Sequence, residues 1–410
     1  MKRIIYSEIE GRSAAFRVLV LILGAFVLAA MYGVFFADHS GHSGSGANNH
    51  VVWGVADVFA MFLIVSASGA LNVAIISSVF RKTLYKPLER LSCLLAIALL
   101  LGGMMILMLE LGRPDRVIVA MLNRNLTSQL AWNFILYSGF ITIVIIYLWF
   151  QMERRMNRFI PAAGMIAFIW RVILTTGSGS IYGFLVAREA YDSAVMGPMF
   201  IAMSFSFGLA VYNLVLLAAL KGSGREIGDV LLRRLGRLLG IFVAVVLYFT
   251  AVQHVTNLYA AEHSGVERFI LWDGGIYPLL FWGGQVFVGG LLPLALIFGS
   301  SRGGRHPGGR IVALTSILVI VGAFAQLYVL VIGGQAYPLN LFPGMEVSSS
   351  FFDGVVLSYT PSLVEIGVGL GAMSLSGLIV LFGIKVLRFL PTTLANSAVD
   401  PHFVASTETQ

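Results

Sequence analysis

The chain has 410 residues, of which 58% are hydrophobic and 11% are charged, whereas a soluble domain carries roughly a quarter charged residues. This balance excludes a water-soluble globule and predicts an all-α integral membrane protein. A single cysteine, Cys93, excludes a disulfide framework, a thiolate zinc site and an iron–sulfur cluster bound by this chain alone. The net charge of +7 resides mostly in short loops between apolar segments, which indicates membrane topology and not a nucleic-acid surface.

Ten apolar segments are long enough to cross a bilayer, since a hydrocarbon core of about 30 Å needs roughly 20 helical residues. They cover approximately residues 16–36, 52–80, 91–111, 130–150, 159–176, 195–220, 238–258, 276–299, 311–334 and 363–390. The first is predicted to be a retained anchor, because its apolar run is too long for a signal peptide and no small-residue cleavage site follows it. The fifth contains Arg171 and is expected to end at the glycine-rich run 175–179.

Lysine and arginine are distributed unequally between the two sides of these spans. Of the 27 basic residues, 21 fall in the N-terminal segment, in the loops after spans two, four, six and eight, and after span ten. Five fall on the opposite side, and Arg171 lies within a span. Because positively charged loops stay in the cytoplasm, we expect both termini to be cytoplasmic and the protein to lie in the cytoplasmic (inner) membrane.

The spans are expected to form a single membrane domain, residues 1–410, that contains two four-helix bundles. Phe-Ala-Met at 59–61 is echoed by Ile-Ala-Met at 201–203, and a repeat four spans apart in the same direction fits two parallel units. The predicted bundles are residues 52–176 and 195–334, flanked by the first and last spans. Long connections often carry docking or catalysis, so 335–362 is a predicted exoplasmic docking loop. Residues 391–410 are interpreted as a short cytoplasmic tail.

Ionisable side chains inside the spans are the most informative feature, because each costs about 2.5–3.5 kcal/mol at the centre of a bilayer. Five are predicted to lie in the outer half of the membrane: Asp57, Glu110, Arg171, His254 and Glu365. Asp57 either caps a helix end, pairs with Arg171 or acts in a pocket. Glu110 either forms an exposed pair with Arg113 or faces the same pocket. The last two of the five are interpreted as structural or interfacial.

A lipid-buried pocket of carboxylates, an arginine, hydroxyls and aromatic rings suits quinol chemistry. The quinone ring packs against apolar and aromatic walls, its oxygens need hydrogen-bond donors, and its protons need a base. Only one histidine, His254, falls within a predicted span, which disfavours a haem held between two histidines. Since no haem, iron–sulfur cluster or other metal is expected in this chain, electrons must pass through partner subunits.

Four short motifs resemble the NrfD/PsrC family, the quinone-interacting membrane subunits of polysulfide-reductase-like respiratory complexes. They are Leu-Gly-Arg-Pro-Asp-Arg at 111–116, Ala-Trp-Asn at 131–133, Thr-Gly-x-Gly-x-x-Tyr-Gly at 176–183 and Ala-Arg at 187–188. The ten-span layout is similar to that of the long branch of the family. Val-Trp-Gly at 52–54, Ser-Gly-Ala at 68–70 and Met-Glu-Arg-Arg at 152–155 are most similar to its DsrP branch, which belongs to the DsrMKJOP complex of sulfur metabolism.

The resemblance implies a pocket for menaquinone or ubiquinone in the first bundle, opening toward the exoplasmic face. By motif position, its implied lining is Trp53, Asp57, Glu110, Arg113, Trp132, Asn133, Tyr182 and Arg188. The resemblance to a shorter relative implies asparagine where this chain has Asp57, a departure that favours a proton-accepting role. The resemblance also implies an exoplasmic ferredoxin-like iron–sulfur subunit. Further implied partners are a multihaem cytochrome c, a cytochrome b-type membrane subunit and a cytoplasmic iron–sulfur subunit.

These observations favour a quinone-reactive electron-transfer subunit of an oxidoreductase complex. Asp57 and Glu110 are its predicted proton acceptors, and Trp132 and Tyr182 are predicted to line the ring. Arg171 is expected to tune the pKa of those carboxylates or to hold the pocket by an ion pair. One alternative is a secondary transporter that clamps a small anion with its buried arginines, and another is a redox-inert membrane anchor.

Four amides lie deeper in the spans: Gln285, Gln326, Asn72 and Asn213. Isolated polar residues at such depths usually mediate contacts between helices. They also leave open the alternative of a water path toward the cytoplasm, and the sequence does not decide between the two.

Overall fold

The structure of the chain is a computed structural model that describes residues 4–40, 46–109, 116–123, 125, 127–302, 308–339 and 354–399. Helices make up nearly all of its regular structure. The α-helices are α1 (Ala14–Ser40), α2 (Val55–Ala70), α3 (Asn72–Ser78), α4 (Glu89–Leu109), α5 (Val117–Leu122), α6 (Gln129–Met152), α7 (Ile160–Gly183), α8 (Met196–Gly222), α9 (Asp229–Tyr259), α10 (Ser264–Arg268), α11 (Ile276–Pro278), α12 (Leu292–Arg302), α13 (Gly309–Tyr328), α14 (Gly334–Ala336), α15 (Leu363–Val386) and α16 (Asn396–Val399). Shorter elements are 3₁₀ turns at Thr83–Leu88 and Arg154–Phe159, π-helical stretches at Phe269–Asp273, Leu279–Leu291 and Val329–Gly333, and strands β1 (Tyr6–Ser7) and β2 (Leu390–Pro391).

Within the described residues, ten helical segments are long and apolar enough to cross a membrane, so the protein is an all-α, multi-pass integral membrane protein. Spans one to ten are Ala14–Phe35, Val55–Ser78, Thr83–Leu109, Ala131–Met152, Arg154–Gly183, Met196–Gly222, Asp229–Tyr259, Ile276–Gly299, Gly309–Ala336 and Leu363–Val386. They coincide with the ten predicted segments, although several are longer than predicted. We call the side on which Asp57 lies outer and the opposite side inner, following the orientation predicted from the basic loops.

Span five continues through the glycine-rich run where the sequence predicts its end. Helix α7 extends to Gly183, so the predicted end at residue 176 is wrong. The glycines allow close contact between helices and do not make a turn. A Cβ on Gly177 would lie 2.7 Å from Cδ1 of Leu136, and one on Gly179 would lie 2.7 Å from the carbonyl oxygen of Met196. Small residues at such contacts are common in membranes, where close packing drives helix association.

Neighbouring spans pack against one another within two sets, which we call the first helix group (spans two to five) and the second helix group (spans six to nine). Spans two and five also pack extensively against span six, so the two groups form one continuous assembly. Span one packs along span ten, which in turn contacts spans two and three. Where spans two and six cross, a Cβ on Gly69 would lie 1.6 Å from the carbonyl oxygen of Ser204, and one on Gly208 would lie 2.2 Å from the carbonyl carbon of Gly69. The two groups therefore meet backbone against backbone.

The two ends of the chain meet at the inner side. Strands β1 and β2 form a two-residue antiparallel pair, and the Arg225 guanidinium donates hydrogen bonds to the carbonyls of Pro391 (2.9 Å) and Glu8 (2.9 Å). Residues 391–399, predicted to begin a polar tail, instead pack against this site, and Leu394 is completely buried. The inner loop after span six thus holds both terminal segments in place.

Candidate functional site

Asp57 lies in the first turn of α2, at the outer end of span two. Its carboxylate accepts a hydrogen bond from the backbone N–H of Gly54 at an N···O distance of 3.0 Å, and the residue is only 8% exposed. A carboxylate at this position satisfies an otherwise unpaired N–H and interacts favourably with the positive end of the helix dipole. The helix-capping contact is therefore present, and it holds a buried carboxylate at a fixed depth.

Aromatic rings pack beside this helix start. The Trp53 ring lies edge-on to the ring of Tyr182, with centroids 5.4 Å apart, and 6.2 Å from that of Tyr191. Tyr182 also lies 5.3 Å from Tyr191 and 5.7 Å from Phe200. Because aromatic pairs at these distances add to the free energy of burial, the cluster forms a rigid apolar wall. The structure thus brings together Asp57 and two of the predicted lining residues.

Tyr191 was not among the predicted lining residues. It is 1% exposed, and its hydroxyl donates a hydrogen bond to the carbonyl of Val331 at 2.6 Å. Burial raises the pKa of Tyr191 well above its usual value, Arg188 opposes that shift and Asp57 adds to it. The influence of Asp57 indicates that its carboxylate lies within electrostatic range of this tyrosine. In the sequence, Tyr191 is marked only by its position three residues after the Ala-Arg motif. That pattern is too short to distinguish this tyrosine from other loop residues.

Arg188 braces the outer loops. Its guanidinium donates hydrogen bonds to the carbonyl of Gln335 at 2.7 Å and to that of His50 at 2.9 Å. The Gln335 side chain accepts from the backbone N–H of Trp53 at 3.0 Å and donates to its carbonyl at 2.9 Å. Burial lowers the pKa of Arg188, although a guanidinium stays charged at neutral pH. Arg188 therefore fixes the backbone on which Trp53 and Asp57 stand.

A second buried carboxylate approaches the same helix start from span ten. The hydroxyl of Tyr359 accepts a hydrogen bond from the N–H of Val55 at 2.8 Å and donates one to Glu365 at 2.9 Å. Glu365 is 6% exposed, and a Cβ on Gly54 would lie 2.4 Å from its Oε1. Glu365 was interpreted as structural or interfacial and Tyr359 was not predicted, because no sequence pattern places spans two and ten side by side.

Arg171 does not pair with Asp57, so the ion pair that the sequence left open as one alternative is absent. The guanidinium of this fully buried residue donates hydrogen bonds to the side chain of Asn72 and to the carbonyl of Ser68, and it lies 4.4 Å from the ring centroid of Phe205. At 1.5 Å per residue, Ser68 is roughly 16 Å further along the helix than Asp57. The distance is too large for an ion pair, and the expected tuning of that carboxylate by Arg171 loses its physical basis.

The predicted outer location of the buried charges also needs correction. The Asn72 partner places Arg171 near the middle of the bilayer and not beneath its outer surface. In addition, Glu89 begins α4 at the inner end of span three, is 6% exposed and accepts a hydrogen bond from Ser77. Glu89 was not predicted, because its sequence position falls in the basic inner loop.

Of the remaining predicted lining residues, Trp132 and Asn133 are among the described residues and Glu110 and Arg113 are not. Trp132 is 45% exposed near the outer start of α6, whereas Asn133 is 3% exposed and donates to the carbonyl of Gln129 at 3.1 Å. The amide oxygen of Asn133 has no hydrogen-bond partner among the described residues. Glu110 and Arg113 lie outside the described residues, and so does the stretch 340–353 of the predicted docking loop.

Side chains that could bind a metal ion do not cluster among the described residues. In the part of the chain that the structure describes, no group of three histidine, cysteine, aspartate or glutamate side chains is placed to hold a metal ion. The chemistry available at the outer end of span two is therefore that of carboxylates, phenols and aromatic rings.

Known membrane proteins resemble the chain over most of its length. It is 30% identical over 400 residues to the Hdr-like menaquinol oxidoreductase integral membrane subunit of Archaeoglobus fulgidus, a match that covers 96% of this chain and 99% of the relative. It is 25% identical to a putative dimethyl sulfoxide reductase membrane subunit of Halobacterium salinarum, covering 91% of this chain and 89% of the relative. It is also 24% identical to the NrfD homologue of Haemophilus influenzae, covering 70% of this chain and 95% of the relative.

A match to a family profile spans most of the chain and supports the predicted family. The sequence profile described as "Polysulphide reductase, NrfD" matches residues 44–338, which include the outer end of span two and all spans from two to nine. The particular resemblance to the DsrP branch stays a prediction. Because more than half of the chain matches the profile, and a relative of nearly equal length is 30% identical, the protein belongs to the NrfD family.

Proposed function

We propose that the protein is the quinone-reactive membrane subunit of a respiratory or sulfur-metabolism complex, and that it exchanges electrons between the quinone pool and an exoplasmic iron–sulfur partner. Family membership supports a membrane subunit of an oxidoreductase complex. The name of the archaeal relative, a menaquinol oxidoreductase subunit, favours menaquinone over ubiquinone as the substrate. The basic inner loops favour the cytoplasmic membrane as its location.

The observation that carries the proposal is a buried carboxylate fixed beside an aromatic wall at one membrane surface. Asp57 is held by the backbone of Gly54, and Trp53 and Tyr182 pack next to it. A quinone headgroup needs a flat apolar surface for its ring and a base for its hydroxyl proton. These groups stand on helix ends and braced loops, which keeps them in place when substrate enters.

In the oxidising direction, the proposed chemistry is the loss of two electrons and two protons from the quinol. Asp57 accepts the proton of one hydroxyl as the O–H bond breaks, and an iron–sulfur centre in the proposed partner would supply the acceptor for the two electrons. Glu365 can accept the second proton, since it lies near Gly54 and is hydrogen-bonded to Tyr359. In the reducing direction the same carboxylates return both protons, so the geometry serves either direction.

Other predicted residues take proposed roles around this centre. Glu110 and Arg113 follow span three and are proposed to extend the proton-accepting surface, whereas Trp132 and Asn133 are proposed to line the entry of the substrate at span four. Arg171 is proposed to hold span five against span two through Asn72. The function thus rests first on Asp57, and Arg171 acts at a distance from it.

An apolar outer surface next to Arg188 supports the proposed partner. Phe184 is 64% exposed and Val186 is 71% exposed, and both lie in the loop that joins spans five and six. Exposed apolar residues beside a braced loop are typical of a surface that binds another subunit. We propose that the iron–sulfur subunit docks here and on the loop 335–362, with the cytochrome and cytoplasmic iron–sulfur subunits joining the complex elsewhere.

The test is the quinol-dependent reduction rate of the purified complex with Asp57→Asn and Asp57→Glu variants. General acid–base groups contribute about 10²–10⁴ to a rate, so Asp57→Asn is expected to lower the rate by at least about a hundredfold. Asp57→Glu should retain a larger fraction, because it keeps a carboxylate at the same helix start. Blue-native electrophoresis shows whether each complex has assembled.

The matched control is Glu262→Gln, an exposed carboxylate in the outer loop after span seven. This variant should keep the wild-type rate. If assembled Asp57→Asn complexes reduce the acceptor with a quinol analogue as fast as the wild type, Asp57 is not the proton acceptor and the proposal fails.

A further inference from the structure

Two adjoining cavities lie within the second helix group, away from Asp57. Space open to the centres of water molecules amounts to about 40 Å³ in the outer cavity and about 20 Å³ in the inner one. By the same measure, one water molecule needs roughly 10–15 Å³. Both cavities are lined by Gln285 and Gln326. Together they have room for a short row of water molecules.

The walls of the outer cavity are polar enough to bind water. Gln253 is 5% exposed, and its amide oxygen has no hydrogen-bond partner among the residues that the structure places. The amides of Gln285 and Gln326 both reach the hydroxyl of Thr250, at the long distances of 3.3 and 3.4 Å. Buried polar groups are nearly always satisfied, by protein or by ordered water. Water in the cavity satisfies Gln253 and completes the contacts of the other two amides.

A histidine–carboxylate pair lines the same cavity, with a buried carboxylate and a partly buried histidine. Nδ1 of His254 lies 2.5 Å from Oε2 of Glu267, and the side chain of Asn257 donates to Oε1 of Glu267 at 2.9 Å. Glu267 is 1% exposed, and the ring of Phe281 lies 4.6 Å from that of His254. An isolated negative charge at this depth is costly. The short contact between the two side chains gives one proton a place between them.

The other charged groups around this pair have their own partners. Arg268 and Asp273 form an exposed ion pair, and the ring of His263 lies 3.6 Å from the exposed carboxylate of Glu262. Glu189 meets the same histidine through its backbone carbonyl, at 2.7 Å. Amides, a phenyl ring and the cavity lie against the pair, and the His254 side chain keeps 17% exposure. The cavity is the internal polar space that the pair contacts.

A row of polar side chains continues from the cavities toward the inner side. Ser206 lines the inner cavity, and Asn213 follows it by seven residues, which is two helical turns or about 10 Å on the same face of α8. Neither side-chain atom of Asn213 has a hydrogen-bond partner in the described part of the chain, and the same holds for the hydroxyl of Ser316 on the neighbouring α13. Both residues are almost completely buried. Their unpaired polar atoms continue the polar row beyond the inner cavity.

We infer that the second helix group contains a proton-exchange site, formed by His254 and Glu267 and served by a water-filled cavity that extends inward. In the exchange, the proton shared by the pair moves to a cavity water, so that its bond to nitrogen or oxygen breaks and an O–H bond to water forms. The reverse step restores the pair. Exchange involves no electrons and no residue of the proposed quinone site, and it is a second function of the chain.

The first test is a map of the intact complex in lipid nanodiscs, at a resolution that shows ordered water. Density for water is expected within hydrogen-bond distance of the Gln253 amide oxygen and beside the amides of Gln285 and Gln326. Acyl-chain density in the cavity, or collapse of its walls, would overturn the inference. Because this measurement uses the wild-type complex, it does not depend on whether any variant folds.

The second test is infrared difference spectroscopy of the same complex across a pH titration in H₂O and D₂O. A protonated carboxyl band that shifts in D₂O is expected in the wild type, lost in Glu267→Gln, shifted in His254→Gln and unchanged in the exposed control Glu262→Gln. A band that survives Glu267→Gln, or that never shifts in D₂O, would overturn the inference. Asp57→Asn should leave the band in place, so the failure of the quinone proposal and that of this one can be told apart.

Discussion

The outer ends of the two helix groups both bury carboxylates, but they satisfy them in different ways. At the outer end of the first group the backbone N–H of Gly54 binds Asp57, and on the adjoining span ten the Ser362 N–H and the Tyr359 hydroxyl bind Glu365. In the second group, Glu267 is bound by two side chains, His254 and Asn257, beside a cavity. The first arrangement fixes a carboxylate in position for a substrate, whereas the second suits a proton that moves between side chains and water.

This difference follows from what each carboxylate contacts. A backbone N–H at a helix start only donates, so it fixes the position of the Asp57 carboxylate. An imidazole nitrogen can donate or accept a proton, so His254 and Glu267 offer two positions for one proton at their contact. Capped carboxylates therefore act by position, and paired ones act by exchange.

The largest expected effect concerns the contact that joins the two groups. Gly69→Val places its side chain against the carbonyl oxygen of Ser204, since even a Cβ at position 69 would lie 1.6 Å from it. Overpacking costs typically 1–3 kcal/mol, and a clash with backbone reaches at least the top of that range, about 3 kcal/mol. The yield of folded protein in detergent, measured by size-exclusion chromatography, should fall sharply.

Gly222→Val is the matched control in the same pair of helices, because nothing lies within 4 Å of its Cβ position. Equal yields of the two variants would contradict the close crossing of spans two and six.

The next effect distinguishes Arg171 from Asp57. Asn72→Leu removes the side-chain acceptor of a buried guanidinium and should lower the free energy of unfolding by about 3 kcal/mol, since breaking a buried charged contact costs roughly 3–5 kcal/mol. Adding Arg171→Met to the same chain should restore much of the loss, because neither polar group is then left alone. Thermal unfolding of the single and double variants measures this coupling. The assembled double variant should keep more quinol activity than Asp57→Asn, and the opposite ranking would return Arg171 to the reaction centre.

A smaller effect is expected at the contact between spans two and ten. Tyr359→Phe removes the acceptor of the Val55 N–H and the donor to Glu365. Hydrogen bonds contribute about 0.5–1.5 kcal/mol each, and those to charged groups somewhat more, so a loss of about 2 kcal/mol is expected. The melting temperature of the purified complex reports it, with the exposed Tyr32→Phe as the control. An unchanged melting temperature would mean that Tyr359 does not brace the outer end of span two.

The sequence was sufficient for the fold class because the bilayer imposes a simple length and polarity rule. Apolar runs of about twenty residues gave all ten spans. Ends were less predictable, since a glycine run such as 175–179 either breaks a helix or allows a neighbour to approach closely. The contacts of Gly177 and Gly179 with spans four and six decide that question, and they are not visible in a linear pattern.

The candidate site was predictable in part. The free-energy cost of burying a charge singled out Asp57, and the motif resemblance added Trp53, Tyr182 and Arg188. The structure places these four residues at one outer corner. Tyr359 and Gln335 were missed because each contacts that corner from a segment distant in sequence, and Tyr191 was missed because no motif marks it. Arg171 was misplaced in depth for the same reason, since its partner Asn72 lies on another span and sequence position alone gave no pairing.

The smallest expected effect is that of an exposed carboxylate, Glu8, on the melting temperature. Glu8 lies at the inner surface, where its own backbone N–H and then Arg388 lower its pKa; the ion pair has an N···O distance of 3.3 Å, and both side chains are at least half exposed. A lowered folded-state pKa contributes stability above the unfolded value of about 4.3, and this contribution is lost as the pH falls through the folded value. Glu8→Gln should therefore lower the melting temperature slightly at pH 7, by about one degree or less as for other exposed pairs, and not at all at pH 3. Glu10→Gln, another exposed glutamate nearby, controls for the change in net charge. A melting-temperature difference between Glu8→Gln and the wild type that persists or grows in acid would show that Glu8 acts through packing. Exposed charged contacts would then not differ from the buried carboxylates at the outer ends in the way argued above.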